Sequence, residues 1–344
     1  TVSFMNINIT PFRNRPLRNR LTSAYILFGG LALLVCFVAP LIGPTQIDFR
    51  SAFDFTIPFE ENVDRQIFFI ARLPRTIAGA LVGAALASAG VVLQALLHNP
   101  LATPFTLGVS AGASLGALLI IITGLSIPTL GISAIPLASF AGALGAVSIV
   151  YGLARLRRQG LSTLVLLLAG VTLNAFFSAM IMFVQYFADY TQSFQAVRYL
   201  MGNLDVSSYE QIVWSLPLLV AAGIAFAWLP RSLNLLALGT KGAAARGVNV
   251  LTTQRIAFLS ASLATGAAVS LGGPIGFVGI IVPHIVRLLL GSDYRVVIPA
   301  SAFFGASFLV ICDVSARTLM SPIELPVGVI TAMLGGPFFL WLLV

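Results

Sequence analysis

The sequence predicts an all-α polytopic membrane protein of about ten transmembrane helices. Three observations carry that prediction. Hydrophobic residues make up 58% of the 344 positions and charged residues 9%, with a mean hydropathy of +0.99. That leaves too little polar surface for a water-soluble chain of this length. Apolar stretches near the roughly 20 residues needed to cross a bilayer recur almost without interruption from Ala24 to Val344. The short alternating segments that build membrane β-barrels are not seen.

Taken in order, the spans fall near 23–42, 75–97, 107–124, 132–154, 162–187, 211–229, 252–271, 275–290, 296–316 and 325–344, within one transmembrane domain, 23–344. Residues 1–22 form an N-terminal tail holding Arg13, Arg15, Arg18 and Arg20. Such a basic flank also precedes signal peptides. The apolar run here is too long for one and lacks a clear small-residue cleavage site, so it reads as a retained first helix. The largest soluble piece is the loop 43–72, with Asp48, Asp54, Glu60, Glu61 and Asp64. Residues 188–208 are polar enough to leave the membrane, with a short re-entrant helix as the alternative. Segments such as GALVGAALASAG (79–90) and LGVSAGASLGA (107–117) are crowded with small residues, a spacing that lets helix backbones approach closely.

Charge placement orients the chain. Thirteen of the 19 basic residues fall on one side of these spans, and 10 of the 11 acids on the other; Asp293 is the exception. Short loops rich in Arg and Lys stay in the cytoplasm. Both termini and the segment 230–250 are therefore expected inside, and the loop 43–72 outside. The net charge of +8 is a topology signal, and no nucleic-acid partner is expected.

The chemistry that the sequence lacks narrows its function. No Gly-rich phosphate loop occurs, and the single lysine, Lys241, lies in TKGAAA, so the chain is not expected to be an enzyme or to hydrolyse ATP itself. Cys36 and Cys312 sit in apolar stretches and read as core residues. His98 and His284 lack nearby Cys or carboxylate partners, so neither metal nor other cofactor is expected on this chain. Ion-coupled transporters place ionisable groups near mid-bilayer; here Asp313 and Glu324 both map close to an outer helix end. The energy for transport must come from a partner, or the chain is a facilitator.

Several segments together resemble the ABC importer permeases for iron–siderophore complexes, haem and vitamin B12. They are ARLPRTIAGALVGAALASAGVVLQALLHNPLATPFTLGVSAGASLGA (71–117), LSTLVLLLAGVTLNAFFSAM (161–180), SLNLLALG (232–239), GPIGFVGIIVPHIVRLLLGSDYR (273–295) and DVSARTLMSPIELPVGVITAMLGGPFFLWLL (313–343). The likeness covers nearly the whole chain after the first helix. It implies the ten-helix type II importer fold in a bacterial cytoplasmic membrane and a permease pair of identical or similar chains. It further implies two cytoplasmic ATPases, which use ATP and Mg, and an outer binding protein. An iron–siderophore complex is the leading cargo, with vitamin B12 and haem as alternatives.

The resemblance also assigns roles. Arg72, Arg75 and Arg317 match arginines that receive carboxylates of the binding protein, a task suited to a forked, permanently charged guanidinium. Headgroup anchoring or pairing with Asp64, Asp313 or Glu324 is the alternative. The segment 232–250 resembles the helices that couple to the ATPase, with Leu235, Leu236, Gly239, Ala243 and Gly247 as contacts. Thr240 and Arg246 depart from that pattern, standing where an acid and a leucine are common. Asn99, Leu101 and Thr163 match the inner gate, although Leu164 replaces a polar residue there. Thr172, Asn174 and Ser178 are the candidate pathway wall, with hydrogen bonding to neighbouring helices as the other reading.

Overall fold

In a computed structural model, residues 16–125, 134–156, 163–204 and 208–343 are described, and most of them are helical. The helices are α1 (Leu17–Leu41), α2 (Val63–Leu97), α3 (Val109–Thr123), α4 (Ala134–Leu156), α5 (Thr163–Tyr186), α6 (Tyr190–Leu200) and α7 (Tyr209–Trp228). They continue as α8 (Pro230–Leu236), α9 (Thr240–Ala245), α10 (Val250–Gly272), α11 (Val278–Leu290), α12 (Tyr294–Thr318) and α13 (Val327–Leu343). Seven of these are long and apolar enough to cross a membrane, and α3, α11 and α13 are shorter apolar helices. Each of the ten expected spans therefore coincides with a helix. The tail 1–15 and the loop between α4 and α5 lie outside the described residues.

One boundary differs from the sequence reading, and a short helix lies within 188–208. The helix expected to start at residue 75 begins at Val63, so the last third of the expected loop 43–72 is helical. Pro74 has no N–H to give the preceding turn, and a helix carrying it must rearrange. The backbone does so by widening to π geometry over Ile67–Arg72, a local remedy that keeps the rod continuous. The segment 188–208 contains α6, started by a capping box in which the Asp189 carboxylate accepts the Gln192 N–H (2.8 Å) and Gln192 Oε1 accepts the Asp189 N–H (3.1 Å). Reciprocal capping of this kind satisfies two helix-end donors. The buried Tyr199 hydroxyl on α6 lies 3.1 Å from the Val269 carbonyl and 2.9 Å from Ser139 Oγ, joining α6 to α10 and α4; burial raises its pKa.

The core is built around α2, α10 and α12. Of the most apolar 18-residue window of α2, 83% is buried; for α5 the figure is 17%. An α2 buried on nearly every side needs small residues to admit its neighbours. At Gly83 an added Cβ would sit 2.2 Å from the Gly305 carbonyl oxygen on α12, and one at Gly305 would sit 2.4 Å from that of Gly83. The small-residue runs thus serve backbone contact, as the composition suggests. α1 lies against α12 through aromatic pairs, Phe28–Phe304 at 5.2 Å and Tyr25–Phe303 at 5.6 Å between ring centroids.

Candidate functional site

The functional candidates fall at the two ends of the bundle and on α5. At the end expected to face outward, three helices and the turn before α13 meet around an ionic cluster. Arg75 Nε donates to Asp313 Oδ1 at 2.8 Å, and Arg75 Nη1 to Glu324 Oε2 at 2.7 Å. Arg317 Nε lies 3.5 Å from Asp313 Oδ2, one helical turn away. The other donors reach the end of α1 and the turn after it: Arg317 Nη2 binds the Ala39 carbonyl at 3.1 Å, and Arg72 binds those of Pro40, Leu41 and Thr45. Guanidinium groups are well placed there, because the last carbonyls of a helix have no internal partner and carry its negative dipole end.

This geometry shows the expected docking residues already engaged within the single chain. Arg72, Arg75 and Arg317 are 4%, 8% and 2% exposed and engaged within the chain, while Arg75 Nη2 and Arg317 Nε are left without a hydrogen-bond partner among the described residues. The physical reason is desolvation: a charge at low dielectric needs its own counter-charge or carbonyl dipoles, and Asp313, Glu324 and the α1 terminus supply them. The sequence reading held headgroup anchoring or pairing with Asp64, Asp313 or Glu324 as the alternative; Arg75 and Arg317 face Asp313 and Glu324, whereas Arg72 takes backbone carbonyls.

At the opposite end, the segment expected to couple to an ATPase forms two short helices, α8 and α9, separated by Gly239. Gly239 (φ +94°) and Gly247 (φ +81°) take left-handed conformations that favour glycine. Leu236 and Ala243 are buried at 2% and 0% exposure, and Leu235 packs against the core. Leu236 and Ala243 hold the segment to the bundle, while Leu235 is only partly buried, because only one side of a short surface helix can face out. The outward side carries Leu238, 62% exposed, with Lys241, Ala244, Ala245, Arg246 and Gly247. Sequence reasoning missed Leu238, although an exposed leucine among polar and small residues is a usual interface signal.

The segment is tied down at both flanks. Asn234 Nδ2 donates to Asp293 Oδ1 at 2.7 Å, and Asn234 Oδ1 accepts the Tyr294 N–H at 3.0 Å. Asp293 caps α12 by accepting the Arg295 N–H (3.0 Å) and pairs with the Arg295 side chain at 2.7 Å. Burial alone would raise the Asp293 pKa, but hydrogen bonds from Arg295 and Asn234 outweigh it and hold the carboxyl at about 2. The single acid on the basic side of the chain therefore has a structural cause, and its exceptional placement was the signal that could have found it. On the other flank, His98 closes α2 in a left-handed conformation (φ +48°), and its Nε2 lies 3.1 Å from the Leu236 carbonyl.

The gate and pathway residues separate. Asn99 Oδ1 accepts the Leu101 N–H at 2.9 Å in a tight turn, and Leu101 is 38% exposed. Thr163 begins α5, and its side chain lies outside the described residues. Thr172 and Ser178 are exposed on α5, the least buried of the candidate spans. Asn174 is half-buried and donates to the Phe105 carbonyl at 2.7 Å, so it fastens α5 to the turn 104–107 and is not a free pathway group. The Phe105 carbonyl also accepts the Gly108 N–H at 3.2 Å, so Asn174 fills its second acceptor position.

Comparison with known proteins then places the molecule. A model of the FecCD transport family matches residues 31–344. The chain belongs to the FecCD transport family. Among similar proteins is the hemin transport system permease protein of Yersinia pestis, 35% identical over 322 residues and covering 92% of this chain and 95% of that one. A vitamin B12 import system permease protein of Klebsiella pneumoniae is 40% identical over 278 residues, covering 79% and 80%. Among solved structures, one described as an inward-facing conformation of a putative metal-chelate type ABC transporter superposes with a TM-score of 0.78 at 29% identity, covering 94% of this chain and 99% of that one. This FecCD-family chain is accordingly a multi-pass permease of an ABC importer for substrates of the metal-chelate, haem or B12 type. Permeases of this kind are not catalytic themselves and work with an ATPase and a substrate-binding protein.

Proposed function

We propose that this permease carries an iron–siderophore complex across the bacterial cytoplasmic membrane by alternating access, with both termini and residues 230–250 inside. It works as one of a pair, with two ATPases that use ATP and Mg and one outer binding protein. The observation that carries this reading is the exposed face of α5. Thr172 and Ser178 lie there among Val171, Phe176, Met182 and Phe183, an apolar wall with sparse hydroxyls that suits a bulky chelate and leaves room for a second subunit. The cargo is drawn from the relatives: haem, carried by one of them, is itself an iron chelate. The test is uptake into proteoliposomes holding the whole complex, with a 55Fe-labelled ferric hydroxamate, hemin and cyanocobalamin compared. Saturable, vanadate-sensitive uptake of the hydroxamate alone supports the proposal. Preference for cyanocobalamin or hemin replaces the cargo, and uptake without ATP replaces the class.

The ATPase docks on the outward side of α8, α9 and the turn between them, where Leu238 is the apolar anchor and Lys241 and Arg246 are exposed beside it. Burying one leucine contributes about 1.5–3 kcal/mol, or about tenfold or more in affinity. Leu238→Asp is expected to abolish co-purification of the ATPase while the permease keeps its thermal stability. Retained co-purification removes Leu238 from the interface. At the outer end, of the three arginines expected to receive the binding protein, only Arg75 has a partner that a second carboxylate can replace, the half-exposed Glu324.

A further inference from the structure

Both flanks of α8 are fastened, each to a different long helix. Asn234 grips the first residues of α12 through Asp293 and the Tyr294 N–H, and the Leu236 carbonyl meets His98 at the end of α2. Between them Leu233 and Leu236 are 1% and 2% exposed. α2 and α12 run antiparallel in backbone contact at Gly83 and Gly305, and Arg75 joins their far ends to Asp313 and Glu324. The 25 residues of α12 span about 37 Å at 1.5 Å per residue. A helix in this setting cannot slide along its neighbours without breaking a charge-assisted hydrogen bond and emptying two leucine sites, and packed interiors resist such shear.

We propose that Asn234 is a positioning residue that makes α8, α2 and α12 one rigid body, so that displacement of the coupling segment is delivered to the ionic cluster at the far end. Without it, the motion is absorbed in the turn between α11 and α12. The inference rests on the reading of residues 230–250 as the ATPase-coupling segment. It goes beyond that reading by naming the joint, which faces the bundle and not the ATPase. Asn234 has two partners of opposite polarity: its amide nitrogen donates to the carboxylate, and its oxygen accepts from a backbone N–H. Asn234→Asp keeps the acceptor but sets two carboxylates against each other. Adding Asp293→Asn returns a donor to the contact with the roles exchanged, and asparagine remains a good helix cap.

The experiment uses the purified permease–ATPase complex and follows hydrogen exchange of residues 319–326, beside the ionic cluster, with and without ATP and vanadate. In the parental complex nucleotide changes exchange there. In Asn234→Asp that change is lost, although the ATPase still co-purifies and hydrolyses ATP. In Asn234→Asp/Asp293→Asn the change returns. A nucleotide response that survives Asn234→Asp, or one that the double substitution does not restore, overturns the proposal. Loss of ATPase co-purification in Asn234→Asp also overturns it, by making Asn234 a docking residue. A parental permease that retains no ATPase refutes the coupling reading itself, and the joint with it.

Discussion

Asp313→Ala is expected to destabilise the purified permease by about 3–5 kcal/mol, the usual result of removing one partner from a buried ion pair. Asp313 is 1% exposed and faces both Arg75 and Arg317. Its loss leaves two guanidinium groups at low dielectric, with Glu324 reaching only the first. Arg317 then keeps only the Ala39 carbonyl, so the end of α1 loosens as well. Thermal unfolding in detergent checks this, with Asp313→Asn as the informative comparison: it retains a hydrogen-bond acceptor for Arg75 and loses only the charge. If both variants melt with the parent, the cluster is not the lock that its geometry indicates.

Gly83→Leu is expected to be comparably severe for a different reason. The contact at Gly83 is with backbone, the Gly305 carbonyl 2.2 Å from the added Cβ, and backbone cannot rotate away as a side chain does. Overpacking ordinarily costs about 1–3 kcal/mol and sometimes more; here α2 and α12 must separate bodily. Loss of folded protein, or a large fall in melting temperature, is the expected reading. Gly145→Leu is the control, since a Cβ at Gly145 meets nothing within 4 Å. Equal effects of the two substitutions would mean that the α2–α12 contact is not formed.

The spans were legible because crossing a bilayer imposes length and apolarity on each helix independently, and no partner has to be known. The extension of α2 back to Val63 was not, since Pro74 argues locally for a start and only the widened turn before it permits continuation. At the sites the difficulty was direction. Arg72, Arg75 and Arg317 were recognisable as exceptional outer charges, but sequence does not say whether an arginine looks out to a partner or in to Asp313 and the α1 carbonyls. Leu236, at the end of α8, and Leu238, in the turn after it, are two residues apart and have opposite fates, buried and exposed, which only packing decides. Asp293 stood out as misplaced charge, whereas Asn234 carried no signal at all, since one asparagine among leucines is unremarkable until its two partners are brought beside it.

The bond between Arg75 and Asp313 joins residues 238 positions apart. Ribosomes add about 5–20 residues per second, so Arg75 enters the membrane on the order of ten to fifty seconds before its counter-charge is made. During synthesis this arginine has to remain near headgroups or water, and α2 cannot settle at its final depth until α12 arrives. A ribosome stalled before residue 313 would hold a half-built bundle with an unneutralised charge on its most central helix, a defect that quality-control proteases can recognise by solvent exposure alone.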